Sequence, residues 1–167
     1  MLNVEELRPP GMDTSGRTKY PVLFQVCVSL LSCLIIRSYL RNRYGGPASQ
    51  KVSTTYTRDW HHYLATTHNY LIITVDPRGT GFKGRKFRMG VRGRLGMLEA
   101  RDTVEAAKVY AELPYVDEGR LAVWGWSYGG YLSSKVIETN SSVFSLGMAV
   151  APVTDDNLGR SDVLSAY

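Results

Sequence analysis

Gly125-Trp126-Ser127-Tyr128-Gly129-Gly130 is the stretch whose residue types and spacing could do chemistry. A serine with glycines two positions either side can occupy a very sharp bend, because only glycine lets the flanking segments approach so closely. Such a bend exposes the hydroxyl and aims it at the start of the following helix, where a developing anion is favoured. The chemistry would be acyl transfer, with Ser127 Oγ as nucleophile and the Tyr128 backbone N–H as oxyanion donor. Gly125, Gly129 and Gly130 would provide the room. The same letters also arise by chance in glycine-rich loops, so the flanking elements must decide. A second turn, Tyr44-Gly45-Gly46-Pro47, stands where another oxyanion donor would be needed. Tyr44 could supply its hydroxyl there, or simply pack in a surface turn.

The elements around the serine have the required character. Leu121–Gly125 reads as a buried strand running into the bend, and the residues after Ser127 read as a helix. Val22–Val26, Leu71–Asp76 and Leu146–Ala151 are further short apolar runs of strand length and read as buried strands. Leu71–Asp76 ends at the turn signal Pro77-Arg78-Gly79. Arg58–Asn69 fits a helix, as does Met97–Leu113, where Met97, Ala100, Val104, Ala107 and Ala111 recur at helical spacing and Arg101 can pair with Glu105. Strands without polar alternation, separated by helices, imply an α/β class with a parallel sheet covered on both faces. In such sheets the chemistry gathers at the carboxyl ends of strands, which is where Ser127 falls. Residues 1–20 are polar and turn-rich and read as a lead-in strand and hairpin, with 21–155 as the domain and 156–167 as a divergent tail.

Composition excludes several other classes. The 167 residues suit one domain, and 44% hydrophobic with 21% charged is ordinary for a globular fold. Net charge is +5, but Lys83, Arg85, Lys86, Arg88, Arg92 and Arg94 account for all of it. Only Phe82 and Phe87 interleave them and no nucleic-acid motif surrounds them, so the segment reads as a solvated or acid-paired loop, with no nucleic-acid partner. Cys27 and Cys33, six apart in an apolar run, fit neither a metal site nor a redox pair and read as buried and inert. The uncharged run Val22–Ile36 has fifteen residues, nearer a buried element than a membrane span of about 20. It also lies too far in, behind too polar a leader, for a signal peptide. No cofactor or metal is called for.

Taken together, GWSYGGY, the upstream YGGP and the intervening RGTGFKGRKFR resemble the catalytic domain of the prolyl oligopeptidase family of serine peptidases, in particular its fungal dipeptidyl aminopeptidases of the dipeptidyl peptidase IV type. DWHHYLA, VRGRLGMLEARD and GMAVAPVTD extend the likeness over nearly all of residues 8–155. The resemblance implies an α/β-hydrolase fold and release of N-terminal X-Pro or X-Ala dipeptides from peptides with a free N-terminus. It implies Ser127 as the acylated nucleophile, with the Tyr44 hydroxyl and the Tyr128 N–H as oxyanion hole. It further implies frequent homodimers, residence at the vacuolar membrane or secretion, and attachment to membrane only through an anchor upstream of Met1. An esterase with the same elbow, or a catalytically dead hydrolase kept for binding, are the rival readings.

The sequence departs from the family pattern in three places. Cys27–Arg43, seventeen residues, stands where the family passes directly from strand to YGGP; the in-frame length suits a retained small intron, and it threatens the placement of Tyr44. The tail after Asp155 does not match the tyrosine-rich continuation, so the sheet is expected to be truncated, without its late strands and without the β-propeller, leaving an apolar edge prone to aggregate. Finally, this fold delivers its triad in the order serine, acid, histidine. Yet His61, His62 and His68 all precede Ser127, and Glu138, Asp155, Asp156 and Asp162 match no family aspartate. His61 and His62 belong to a helix expected to cover a sheet face away from the strand ends, and are not expected to substitute. The triad Asp and His are therefore absent from this chain, which is expected to hydrolyse essentially nothing by itself.

Overall fold

The computed structural model describes residues 1–26, 50–54, 56 and 58–153. The whole Cys27–Arg43 insertion with Cys27 and Cys33, the Tyr44-Gly45-Gly46-Pro47 turn and the tail from residue 154 lie outside these residues, as do the readings placed on them. The elements in order are β1 (Asn3–Leu7), β2 (Tyr20–Gln25), α1 (Trp60–His68), β3 (Leu71–Asp76), α2 (Arg85–Met89), α3 (Met97–Ala111), β4 (Val116–Trp126), α4 (Tyr128–Glu138) and β5 (Leu146–Val150). The five strands form one sheet in the order β1-β3-β2-β4-β5. β2, β3, β4 and β5 run parallel, and only β1 is antiparallel.

Burial in the central strands is continuous, as expected when both faces are covered. Val22, Phe24, Leu71, Ile73, Val75, Leu121 and Val123 point to one face and pack on Ala100, Val104, Ala107, Leu132 and Val136 from α3 and α4. Phe24 sits there between the rings of Tyr110 and Phe144, at 5.7 and 5.4 Å with nearly perpendicular planes, an edge-to-face arrangement that suits the ring quadrupoles. Leu23 and Ile72 point to the other face, where Ala65 of α1 covers them. β2 leads through α1 to β3 on one side, and β4 leads through α4 to β5 on the other. Connections therefore leave the adjacent strands β2 and β4 in opposite directions. A crevice opens outside their carboxyl ends at such a switch point.

Several sequence expectations need correction. β1 does not close a hairpin on β2; it pairs with β3, Asn3 opposite Asp76 through Leu7 opposite Ile72. Tyr110 Oη ties it down by donating to Glu6 Oε1 at 2.6 Å, and burial with this bond pushes the phenol's pKa up. β4 begins at Val116, five residues before the apolar run: Val116 pairs with Tyr20 and Leu121 with Val22, and the largely exposed Asp117–Arg120 bulges out between these two paired positions. On α3 Glu105 pairs with Lys108 at 2.9 Å rather than with Arg101. The cationic segment contains the short helix α2; Arg85, Lys86, Arg88, Arg92 and Arg94 are exposed, in keeping with the solvated alternative, and Lys83 Nζ donates to Met1 O at 2.6 Å.

β5 is the largest departure. It was expected to be buried, yet all five of its residues are exposed, including Leu146, Met148 and Val150. It pairs with β4 on one side, and its other edge has no partner among the described residues. An uncharged, proline-free apolar edge is a template for pairing with another chain. The 167-residue polypeptide is expected to self-associate with concentration. The double substitution Leu146→Lys, Met148→Lys is expected to move it toward the monomer position in size-exclusion chromatography; an unchanged profile would show that the edge is not the cause.

Candidate active site

The bend at Ser127 follows from what stands on either side of it. β4 must end and α4 must begin within one residue, and Ser127 absorbs the reversal with φ 58° and ψ −116°, a conformation rare for a residue with a side chain. The bend is pinned on three sides: Ser127 N donates to Val150 O at 2.9 Å, while its carbonyl accepts from Tyr131 N at 3.0 Å and Val153 N at 3.4 Å. Gly125 is required by contact. A Cβ there would lie 2.5 Å from the Val26 carbonyl oxygen and collide with the Gly129 carbonyl, so the ends of β2 and α4 occupy the space a side chain would need. Gly130 is nearly as tight, at 3.0 Å from Val150 O and 3.1 Å from Pro152 Cα.

Enclosure by β2, β5 and α4 leaves Ser127 only 6% exposed, less open than the sequence suggested. Its hydroxyl makes no hydrogen bond within the described residues. Tyr128 is the first residue of α4, so its amide belongs to the positive end of an eleven-residue helix. The structure thus brings Ser127, Tyr128, Gly125, Gly129 and Gly130 together at the carboxyl end of β4. Tyr44, expected as the second donor, lies outside the described residues.

The three histidines are engaged elsewhere. His61 lies nearer the carboxyl end of β4 than expected, because α1 runs antiparallel to β3 and starts over the strand ends. Both of its ring nitrogens are occupied: Trp124 Nε1 donates to Nε2 at 3.3 Å, and Nδ1 faces Asp59 Oδ2 at 3.2 Å. This pattern fixes a neutral imidazole with its proton on Nδ1. Burial pushes the pKa down, and the Asp59 contact offsets this only in part. His62 meets Tyr56 edge-on and His68 approaches Tyr63 Oη at 3.2 Å. A base for Ser127 is not among them.

The depressed His61 pKa has a stability consequence. An unfolded imidazole takes a proton near its ordinary 6.5, whereas the folded one resists. The contribution is therefore complete above that value and is lost as pH falls from it toward the lower folded pKa. The thermal midpoint is expected to drop over this interval, and His61→Gln to flatten the drop; an unaltered pH profile would contradict the geometry.

Sequence reasoning missed the acids of α3. Tyr128 Oη donates to Glu99 Oε1 at 2.7 Å, both residues being buried. One turn further along the same helix, Asp102 grips Arg78 through Nη2 at 2.6 Å, Nε at 2.8 Å and the Arg78 backbone N–H at 2.9 Å. The first turns of α3 therefore hold both the bend after β4 and the turn after β3. Asp76, at the end of β3, accepts from the Lys51 and Val52 amides at 2.9 and 3.2 Å, while burial pushes its pKa up. The only sequence signal for Glu99 is an acid three residues ahead of Asp102 on a helix otherwise apolar toward the sheet.

The arrangement sets a serine hydroxyl on a strained bend beside helix amides, a geometry that could serve acyl transfer. Comparison with known proteins agrees. The model of the prolyl oligopeptidase family matches residues 55–162. A probable dipeptidyl-aminopeptidase B from Tuber melanosporum is 48% identical over 155 residues, which are 92% of this chain and 15% of that protein. A probable dipeptidyl-aminopeptidase B from Ajellomyces capsulatus is 50% identical over the same share of each. Among solved structures, the dipeptidyl peptidase 4 of Porphyromonas gingivalis superposes with a TM-score of 0.77 at 37% identity, over 92% of this chain and 19% of that one. The chain thus spans about 15% of the length of the curated relatives it matches.

Proposed function

The chain belongs to the prolyl oligopeptidase family, and on that premise we propose that it carries the nucleophile of a serine-type dipeptidyl aminopeptidase. Ser127 Oγ attacks the carbonyl of the second residue of a peptide with a free N-terminus, and its proton passes to a general base. The carbonyl oxygen becomes an oxyanion facing the Tyr128 N–H at the start of α4. Collapse breaks the C–N bond, the protonated base gives its proton to the leaving amine, and water then hydrolyses the acyl-serine. The Tyr44 hydroxyl is the proposed second oxyanion donor.

One observation supports this above the others: the backbone of Ser127 at φ 58°, ψ −116°, held between a buried strand and a helix by glycine contacts that exclude side chains. A strained conformation persists only where surrounding structure over-determines it, and such sites cluster where chemistry is done. The test is turnover of a glycyl-prolyl anilide by the full-length gene product spanning this stretch. The wild type is expected to cleave it, and Ser127→Ala to lose about a millionfold in kcat. Preference for simple esters over the anilide would favour an esterase, and no turnover of either would favour a binding module.

A further inference from the structure

We infer that Glu99 is a positioning residue for this reaction: its buried carboxyl group holds the Tyr128 side chain, and through it the Tyr128 backbone amide, in place beside Ser127. The inference rests on the reading of that amide as an oxyanion donor. The observations come from both ends of the contact. Glu99 is 3% exposed and Tyr128 is 8% exposed, so their 2.7 Å bond is out of water, where it is stronger and its loss costs more. The second oxygen, Glu99 Oε2, is buried and has no hydrogen-bond partner among the described residues. Burial pushes the Glu99 pKa up, and in either protonation state a carboxyl group buried with one bonded oxygen is an expensive way to fill space that leucine would fill at no such cost. Its contribution is directional: it fixes the side chain of the one residue that follows the nucleophile.

The surroundings make that restraint stiff. Tyr131, one turn along α4, lies with its ring 5.5 Å from that of Tyr128 and donates from Oη to Leu95 O at 3.3 Å. It fits there because Gly96 has no side chain; a Cβ at that position would be 2.5 Å from Tyr131 Oη. Leu95, Gly96 and Glu99 thus brace the first turn of α4 from the start of α3. Displacement of an oxyanion donor by about 1 Å costs on the order of a hundredfold in rate, so the brace acts on kcat.

The test compares Glu99→Leu, Glu99→Gln and Tyr128→Phe. In the full-length gene product, Glu99→Leu and Tyr128→Phe are each expected to lower kcat for the anilide about 10- to 100-fold with KM changed less than about threefold. Glu99→Gln keeps an acceptor for Tyr128 Oη and is expected to recover most of the loss. In the 167-residue chain, amide spectra are expected to show the Ser127 and Tyr128 resonances displaced in Glu99→Leu and Tyr128→Phe and near their wild-type positions in Glu99→Gln, with Leu71–Val75 unmoved throughout. Equal losses in the glutamine and leucine variants, a change confined to KM, or an unmoved Tyr128 amide would overturn the inference. If Glu99→Leu does not fold, Tyr128→Phe decides alone. A full-length wild type without activity would sink the peptidase reading instead, and the amide spectra would then judge the Glu99 brace independently.

Discussion

Gly125→Ala is expected to abolish cooperative folding of the chain. A methyl group there meets the Val26 carbonyl of β2 and the Gly129 carbonyl of α4 at distances real Cβ atoms do not adopt. Neither atom belongs to a side chain that can swing aside. β2 is buried along its length and bonded on both edges, by β3 and β4, and α4 is held to β5 through Gly130 and the Ser127–Val150 bond. Relief requires separating elements that share one core. The penalty exceeds about 3 kcal/mol, the upper range for overpacking where side chains can still adjust, and is a large part of a small domain's stability. Circular dichroism melts decide it. Gly130→Ala, with its contacts at 3.0 and 3.1 Å, is the graded control and is expected to melt cooperatively at a lower temperature. A Gly125→Ala chain melting within a few degrees of wild type would show that the bend is not built as described.

The second large effect concerns activity. The 167-residue polypeptide alone is expected to show no turnover of a glycyl-prolyl anilide, at least about a millionfold below a complete serine peptidase. A neutral serine hydroxyl is a weak nucleophile without an adjacent base. His61 has both ring nitrogens committed, to Trp124 and Asp59, and Ser127 Oγ has no hydrogen-bonded partner among the described residues. Oxyanion stabilisation and substrate positioning remain, but they act on an attack that does not begin. The assay is made with purified chain and its Ser127→Ala variant side by side. Turnover that disappears in the variant would show that a residue of this polypeptide acts as the base for Ser127, against this expectation.

How much of this was legible depended on whether the signal was local. β3 was readable to the residue, Leu71–Asp76, because a strand covered on both faces leaves an unbroken apolar run. The elbow was readable because its backbone demands glycine at fixed offsets, a constraint that sequence states directly. The first half of β4 was hidden, since Asp117–Arg120 is polar where the strand leaves the core. β1 was found but its partner was not, because strand runs do not encode which neighbour they choose; Tyr110 and Glu6, 104 residues apart, help settle that. The exposure of β5 was misjudged for the same reason, its apolar run saying what the strand needs rather than what covers it. Glu99 was the hardest to see. An acid in a helix's first turn is ordinary by charge logic, and only the fold places it under Tyr128.

Covalent trapping tests the central claim most directly. The full-length gene product is incubated with a dipeptidyl phosphonate that acylation-type serines attack, digested, and mapped by mass spectrometry. The account predicts a single adduct on Ser127, formed at the rate at which anilide turnover is lost. Inhibition with the adduct on any other residue, or with Ser127 unmodified, would contradict it.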